Sequence, residues 1–264
     1  MMRFKTVVLA AMLSLVGQAG AQSIPRIAII IDDLGYQLEA GQRAIKLPGS
    51  ITYAILPQTP RGRLLAEAAY DQGKEVLLHL PLESIAYDGP EEPGSITLDM
   101  SRNAFHDTFS AALASVPHAI GVSSHRGSLL TRHPGHMEWL MEEIRDREGM
   151  FFVDSFTTHA SVALQLAAEL GVTAARRHVF LDNERSAEAM AKQFERLTEL
   201  AHRHGVAVAI GHPYPETLDF LERLLADLDE KMIELIPVSK ALNSLNQQAQ
   251  TSSNEAAWRF NGPK

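Results

Sequence analysis

The sequence contains no cysteine. That absence excludes disulfide frameworks, Cys-ligated zinc, iron–sulfur clusters and thiol nucleophiles together, although it leaves the compartment open. No basic block occurs either: 24 Lys and Arg stand against 32 Asp and Glu, a net charge of −8. The electrostatic footprint of a nucleic-acid binder is missing, so no nucleic-acid partner is expected. There is no P-loop and no dinucleotide glycine pattern, and Gly121-Val122-Ser123-Ser124-His125 is not a Gly-x-Ser-x-Gly nucleophile elbow. What is present, 45% hydrophobic and 21% charged residues, is ordinary globular composition with enough chain for a sizeable core.

The first residues read as an export signal. Met1-Met2-Arg3-Phe4-Lys5 is a basic start, and Thr6 to Val16 is an apolar run. That run is shorter than the roughly 20 residues a spanning helix needs. Ala19-Gly20-Ala21 supplies the small-x-small pattern of a cleavage site. Residues 1–21 are expected to be a signal peptide, cleaved before Gln22, with an uncleaved anchor as the alternative. No cysteine follows the site, which excludes a lipoprotein anchor, and no later segment is long enough to span a membrane. The expected location is the bacterial periplasm or the exterior.

Beyond the signal, short apolar runs alternate with longer helical patterns. Strands are expected at Arg26–Ile31, Ile51–Ile55, Glu75–His79, Ala119–Ser123, Met150–Asp154, His178–Leu181, Val206–Gly211 and Ile233–Pro237. Helices are expected between them, from Gln37–Ile45 to Pro215–Leu228. Strict alternation implies parallel strands with right-handed crossovers. Seven or eight such units favour a closed or nearly closed α/β barrel in one domain, residues 22–245, with a doubly wound sheet as the alternative. Ser84–Leu98, with Gly89-Pro90 and Pro93-Gly94, reads as a long loop after a strand, where substrate loops sit in such folds. Residues 246–264 are polar and aperiodic and read as a disordered tail.

Reactive groups in parallel α/β folds gather at the carboxyl ends of strands. Here those ends carry Asp32-Asp33, His79, Ser123-Ser124-His125, Asp154-Ser155, Asp182-Asn183 and His212. Adjacent carboxylates repel, and a divalent cation resolves the conflict by taking one and leaving the other as a base. Either aspartate alone could merely cap a helix, and a lone histidine in an apolar run is commonly a core residue. Converging on one barrel mouth, one Asp and two neutral His make an N/N/O metal site. A second Asp and a third His then supply base and acid. His133 and His136 read as surface capping and His202 and His204 as helix-end residues, while His159 could line the site.

The stretches IAIIIDDLG (27–35), VLLHLPLE (76–83), GVSSHRGS (121–128), FFVDSFT (151–157), VFLDN (179–183) and AIGHPYPETL (209–218), taken in order, resemble the divergent polysaccharide deacetylases. That family is related to carbohydrate esterases, so the resemblance implies a distorted (β/α)7 barrel and a divalent metal, usually zinc. By resemblance Asp32 is the general base, Asp33 and His79 are metal ligands, and His212 is the general acid. The esterases' His-x-x-x-His pair is broken here, with Glu83 four residues after His79. The second histidine ligand is expected to be His125, with Glu83 the lesser alternative. The esterases' Arg-x-Pro-x-Gly motif is absent, and Arg126 is expected in its place. Backbone N–H groups near Ser124 would stabilise an oxyanion. Asp154 and Asp182 would orient a histidine or substrate hydroxyls, and Ser155 would line the site. The activity implied is deacetylation of an N-acetylated envelope glycan. The alternatives are a protein without turnover that binds glycan or a cell-wall remodelling partner, and a metal hydrolase acting on a different bond.

Overall fold

Five consecutive apolar residues, Ile27 to Ile31, cannot leave either face of a strand in water, and all five are fully buried. The computed structural model, which describes residues 24–247 except Asp88 and Asp229, places them in β1 (Arg26–Leu34) at the centre of the fold. Ile27, Ile29 and Ile31 pack outward with the layer that meets the helices. Ala28 and Ile30 point inward to a second apolar cluster, with Ala54, Leu77, Val153, Val208 and Ile210. This two-sided burial explains why the strands read as continuous apolar runs.

The remaining elements follow in strict alternation: α1 (Leu38–Ile45), β2 (Thr52–Ile55), α2 (Gly62–Asp71), β3 (Glu75–Leu82), α3 (Arg102–Ser115), β4 (Ala119–Arg126), α4 (Pro134–Arg145), β5 (Phe151–Asp154) and α5 (Ala163–Leu170). Then come β6 (Ala174–Arg176), β7 (Val179–Phe180), α6 (Ala187–His204), β8 (Val206–Gly211), α7 (Pro215–Ala226) and β9 (Glu234–Leu235). Helix ends follow local chemistry. Ser186 caps α6 by accepting from the Ala189 amide, and Gly205, at φ 73°, turns the chain into β8.

All ladders are parallel, in the order β6-β5-β4-β3-β2-β1-β8-β7, with β9 also against β1. The two outer strands are consecutive in the chain. Arg177 N–H donates to Asp154 of β5, and the next amide, His178 N–H, donates to Val208 of β8. One segment thus spans the seam, and the curled sheet is an α/β barrel of the distorted seven-unit kind. Its amino end is stopped by a helix at 238–247, whose Val238, Ala241 and Leu242 join the inner cluster.

Several expectations change in detail. β6 and the helix at 238–247 had no clear apolar signature. Residues 246 and 247, the first two of the tail expected from 246, belong to that helix; the rest of the expected tail and the signal at 1–21 lie outside the described residues. β3 and β4 run past His79 and His125, so these histidines stand within strands. The 84–98 segment is a loop, anchored by fully buried Ile96, whose N–H donates to Pro81. Among the described residues no helix is long and apolar enough to cross a membrane.

Candidate metal centre

Neighbouring residues on a strand point to opposite faces. Asp32 keeps the inward phase of Ala28 and Ile30 and is buried. Asp33 should therefore face the helices. It instead takes φ 61°, and the β1–β2 register shifts between Ile31 and Leu34. The irregularity swings its carboxylate to the same mouth, at a backbone cost of about 1–3 kcal/mol for a non-glycine residue.

His79 and His125 come from adjacent strands, where Pro81 pairs with His125 and His79 with Ser123, so both imidazoles project inward. Asp33 Oδ1 lies 3.1 Å from His79 Nε2 and 2.9 Å from His125 Nδ1, and the two nitrogens are 3.1 Å apart. Three lone-pair atoms thus form a near-equilateral triangle, and Asp33 Oδ1 is buried without a formed hydrogen bond. Metal bonds of about 2.0–2.2 Å place neighbouring ligands roughly 3 Å apart, so the set fits a divalent ion. His79 Nδ1 is 2.7 Å from Ser123 Oγ, which leaves Nε2 to face the triangle.

The protonation preferences describe a site that seeks positive charge. Burial alone would raise Asp33, but the His125 and His79 ring nitrogens close beside it hold it far below the usual carboxylate range. Burial would likewise lower His125, yet Asp33 and Glu92 raise it to about 9.

Two further groups flank the triangle. Asp32 Oδ2 is 3.5 Å from His79 Nε2, while its Oδ1 is buried and unpartnered. Burial raises the Asp32 pKa, partly offset by His79 and His212. On the other side, His212 Nε2 stands 3.8 Å from Asp33 Oδ2. Its Nδ1 is 2.9 Å from Asp182 Oδ1, and its backbone N–H donates to Asp182 Oδ2 at 2.6 Å. Thr217 donates to that same oxygen. Burial lowers His212, but Asp182 outweighs it, and the net shift is upward. A cleft of about 320 Å³ opens over this group, lined by Asp33, Tyr36, Glu92, His125, His212 and Tyr214.

The family model for divergent polysaccharide deacetylases matches residues 29–242, most of the chain and every residue of the cluster. The chain belongs to the divergent polysaccharide deacetylase family. It is 34% identical to Uncharacterized protein YibQ of Escherichia coli K12 over 218 residues, covering 83% of this chain and 67% of YibQ. Among solved structures it resembles an uncharacterized protein of Agrobacterium tumefaciens C58, with TM-score 0.79, 23% identity, and 84% and 90% of the two chains covered. A more distant fold likeness is to a CE4 family pseudoenzyme from Bacillus anthracis, with TM-score 0.50, 12% identity, and 84% and 66% coverage.

In this family member the remaining sequence candidates take other places. Glu83 does not join the triangle, because its Oε2 accepts from the Leu98 amide at 2.7 Å. Arg126 stacks 3.4 Å over Tyr87 and pairs with Glu92. Asp154 has the outward phase of β5 and accepts from Phe156 N–H and the Ser161 hydroxyl, organising its own loop instead of orienting a histidine. Ser124 is also outward, and its Oγ accepts from the Ser155 amide. Ser155 Oγ is buried and unpartnered. His133 caps α4 as expected, but His136 is buried beside Phe105 and Trp139. His159 is exposed against Phe156.

Glu92 and Arg177, both near the site, escaped sequence reasoning, and Ser123 was placed at its strand end without a role. Ser123 had a signal, since it is two residues before His125 on the same strand face. Glu92, 3.1 Å from His125 Nε2, comes from the long loop and had none. Arg177, its pKa lowered to about 10 by burial that Asp154 and Asp32 only partly offset, follows a strand too short to notice.

Proposed function

We propose that this protein is a metal-dependent hydrolase that deacetylates an N-acetylated cell-envelope polysaccharide or peptidoglycan-type glycan after export to the periplasm. The supporting observation is the Asp33–His79–His125 triangle with edges of 2.9–3.1 Å, flanked by Asp32 and the Asp182-backed His212. Those three residues would hold a divalent ion, with zinc the expected one, which when bound polarises a carbonyl and eases deprotonation of water. Asp32, buried and raised in pKa, accepts the proton as water attacks the acetyl carbon. Asp182 holds His212 Nδ1, so Nε2 faces the mouth and delivers a proton to the departing amine. Bond cleavage releases acetate and leaves the sugar amine. A second cavity of about 460 Å³ lies under the 84–98 loop, and Glu92 and Arg126 line both it and the cleft. Together they offer room for a chain of sugars.

The test is acetate release from N-acetylated oligosaccharides or peptidoglycan fragments, with and without a chelator. Metal-dependent acetate is expected from the wild type. Asp32→Asn is expected to retain metal and lose release, and full activity in that variant would refute the base assignment. Glycan binding without acetate would instead support a binding protein without turnover, a reading motivated by the missing second histidine, whose place His125 takes here.

A further inference from the structure

The ring of His125 has two ends. Nδ1 faces the triangle, and Nε2 faces away, 3.1 Å from Glu92 Oε2 but without the alignment of a formed hydrogen bond and with no other hydrogen-bond partner. Glu92 is not on the barrel wall. It is carried by the 84–98 loop and held from the wall side by Arg126, whose Nη2 donates to Glu92 Oε1 at 3.1 Å. Arg126 also covers the ring of Tyr87, on the same loop. Its own backbone is at φ 57°, and its carbonyl accepts from Thr157 Oγ1 at 2.6 Å.

The loop does not depend on Glu92 for its path. Ile96 exchanges backbone hydrogen bonds with Pro81 and Glu83, the Leu98 amide donates to Glu83, and the Ile85 amide donates to Ser128 Oγ. Removing the Glu92 charge would leave these anchors in place.

Resting on the metal-centre reading above, we propose that Glu92 is a positioning residue: it fixes the His125 ring with Nδ1 towards Asp33 and His79, and so ties metal affinity to docking of the 84–98 loop. A carboxylate facing the remote nitrogen of a ligand histidine sets its tautomer and orientation and strengthens it as a donor. No strand residue can do this here, because Nε2 points out of the triangle towards the loop.

The experiment is titration of metal-free wild type, Glu92→Gln, Glu92→Asp and Glu91→Gln with Co2+, read by visible absorption and chelator competition. Glu92→Gln is expected to bind ~10–100-fold more weakly, with an altered visible spectrum. Glu92→Asp, which keeps the charge, should fall between it and the wild type, while Glu91→Gln, a neighbour on the loop, should match the wild type. Thermal midpoints of the metal-free forms should agree. Affinity and spectrum of Glu92→Gln equal to wild type would overturn the inference while leaving the metal reading intact. So would an affinity loss matched by a lower metal-free midpoint, which would reduce Glu92 to a structural role. A wild type that takes up no Co2+ would overturn both.

Discussion

The two ends of the barrel treat a carboxylate in opposite ways. At the amino end, Glu75 accepts from the hydroxyls of Thr52 and Ser239 and from the Ser239 amide. Thr52 Oγ1 in turn accepts from Val238 N–H, and Val238, Ala241 and Leu242 seal the interior. At the carboxyl mouth, Asp32 keeps one oxygen without a partner, Asp33 sits in a left-handed backbone, and three imidazoles crowd around them. Buried polar groups are ordinarily satisfied, and an exception calls for an explanation. The amino end is built for stability. The mouth carries strain and unmet polarity that a bound cation and substrate would relieve.

The widest separation of the two ends is expected from Asp33→Gly. It should abolish bound metal in elemental analysis and lower deacetylation by ~10³-fold or more, while on metal-free stability the strain relieved at φ 61° and the lost pairing with His79 and His125 act in opposite directions. Metal retained at wild-type level in that variant would break the contrast. Next, Asp182→Asn should reduce turnover ~10–100-fold with metal content unchanged, because the His212 ring loses its charged partner. Loss of metal in that variant would show that Asp182 serves the triangle instead. At the amino end, Glu75→Ala should cost about 1–3 kcal/mol in chemical denaturation by stranding Thr52 and Ser239, with no change in metal content. An altered metal load there would mean that the two ends are coupled.

The smallest effect belongs to the seam. Val208 N–H donates to His178 Nδ1 at 3.0 Å, which requires a neutral ring, and burial lowers the His178 pKa to about 4. The unfolded chain binds a proton near pH 6.5 that the folded chain refuses, so stability falls as pH drops from about 6.5 to 4. His178 is only partly buried, so the loss should be about 1–2 kcal/mol. His178→Gln, which can still accept from Val208, should flatten that part of the stability curve, and an unchanged slope would assign the acid sensitivity to the mouth.

The sequence made some of this legible and hid the rest for a physical reason. Runs such as Ile27–Ile31 and Val206–Ile210 announce strands buried on both faces, so the alternating barrel was readable. Asp32, Asp33, His79, His125 and His212 stood out because each interrupts or ends an apolar run. Asp154 and Ser124 stood out equally, yet they lie on the outward phase of their strands. A strand-end position does not say which face a side chain takes. Phase follows from register, and register from pairing with residues far away in the chain. Glu92 was hidden because its loop has no period at all.

What the sequence by itself determined is the alternation, the two-sided burial and the stock of reactive side chains, since these depend only on local polarity and spacing. The tertiary structure alone decided which of those side chains meet. The turn at Asp33 puts two adjacent carboxylates on one side, the β3–β4 register brings His125 beside His79, and the fold-back of the 84–98 loop brings Glu92 behind it. Those outcomes depend on hydrogen-bond partners distant in sequence, and no local pattern encodes them.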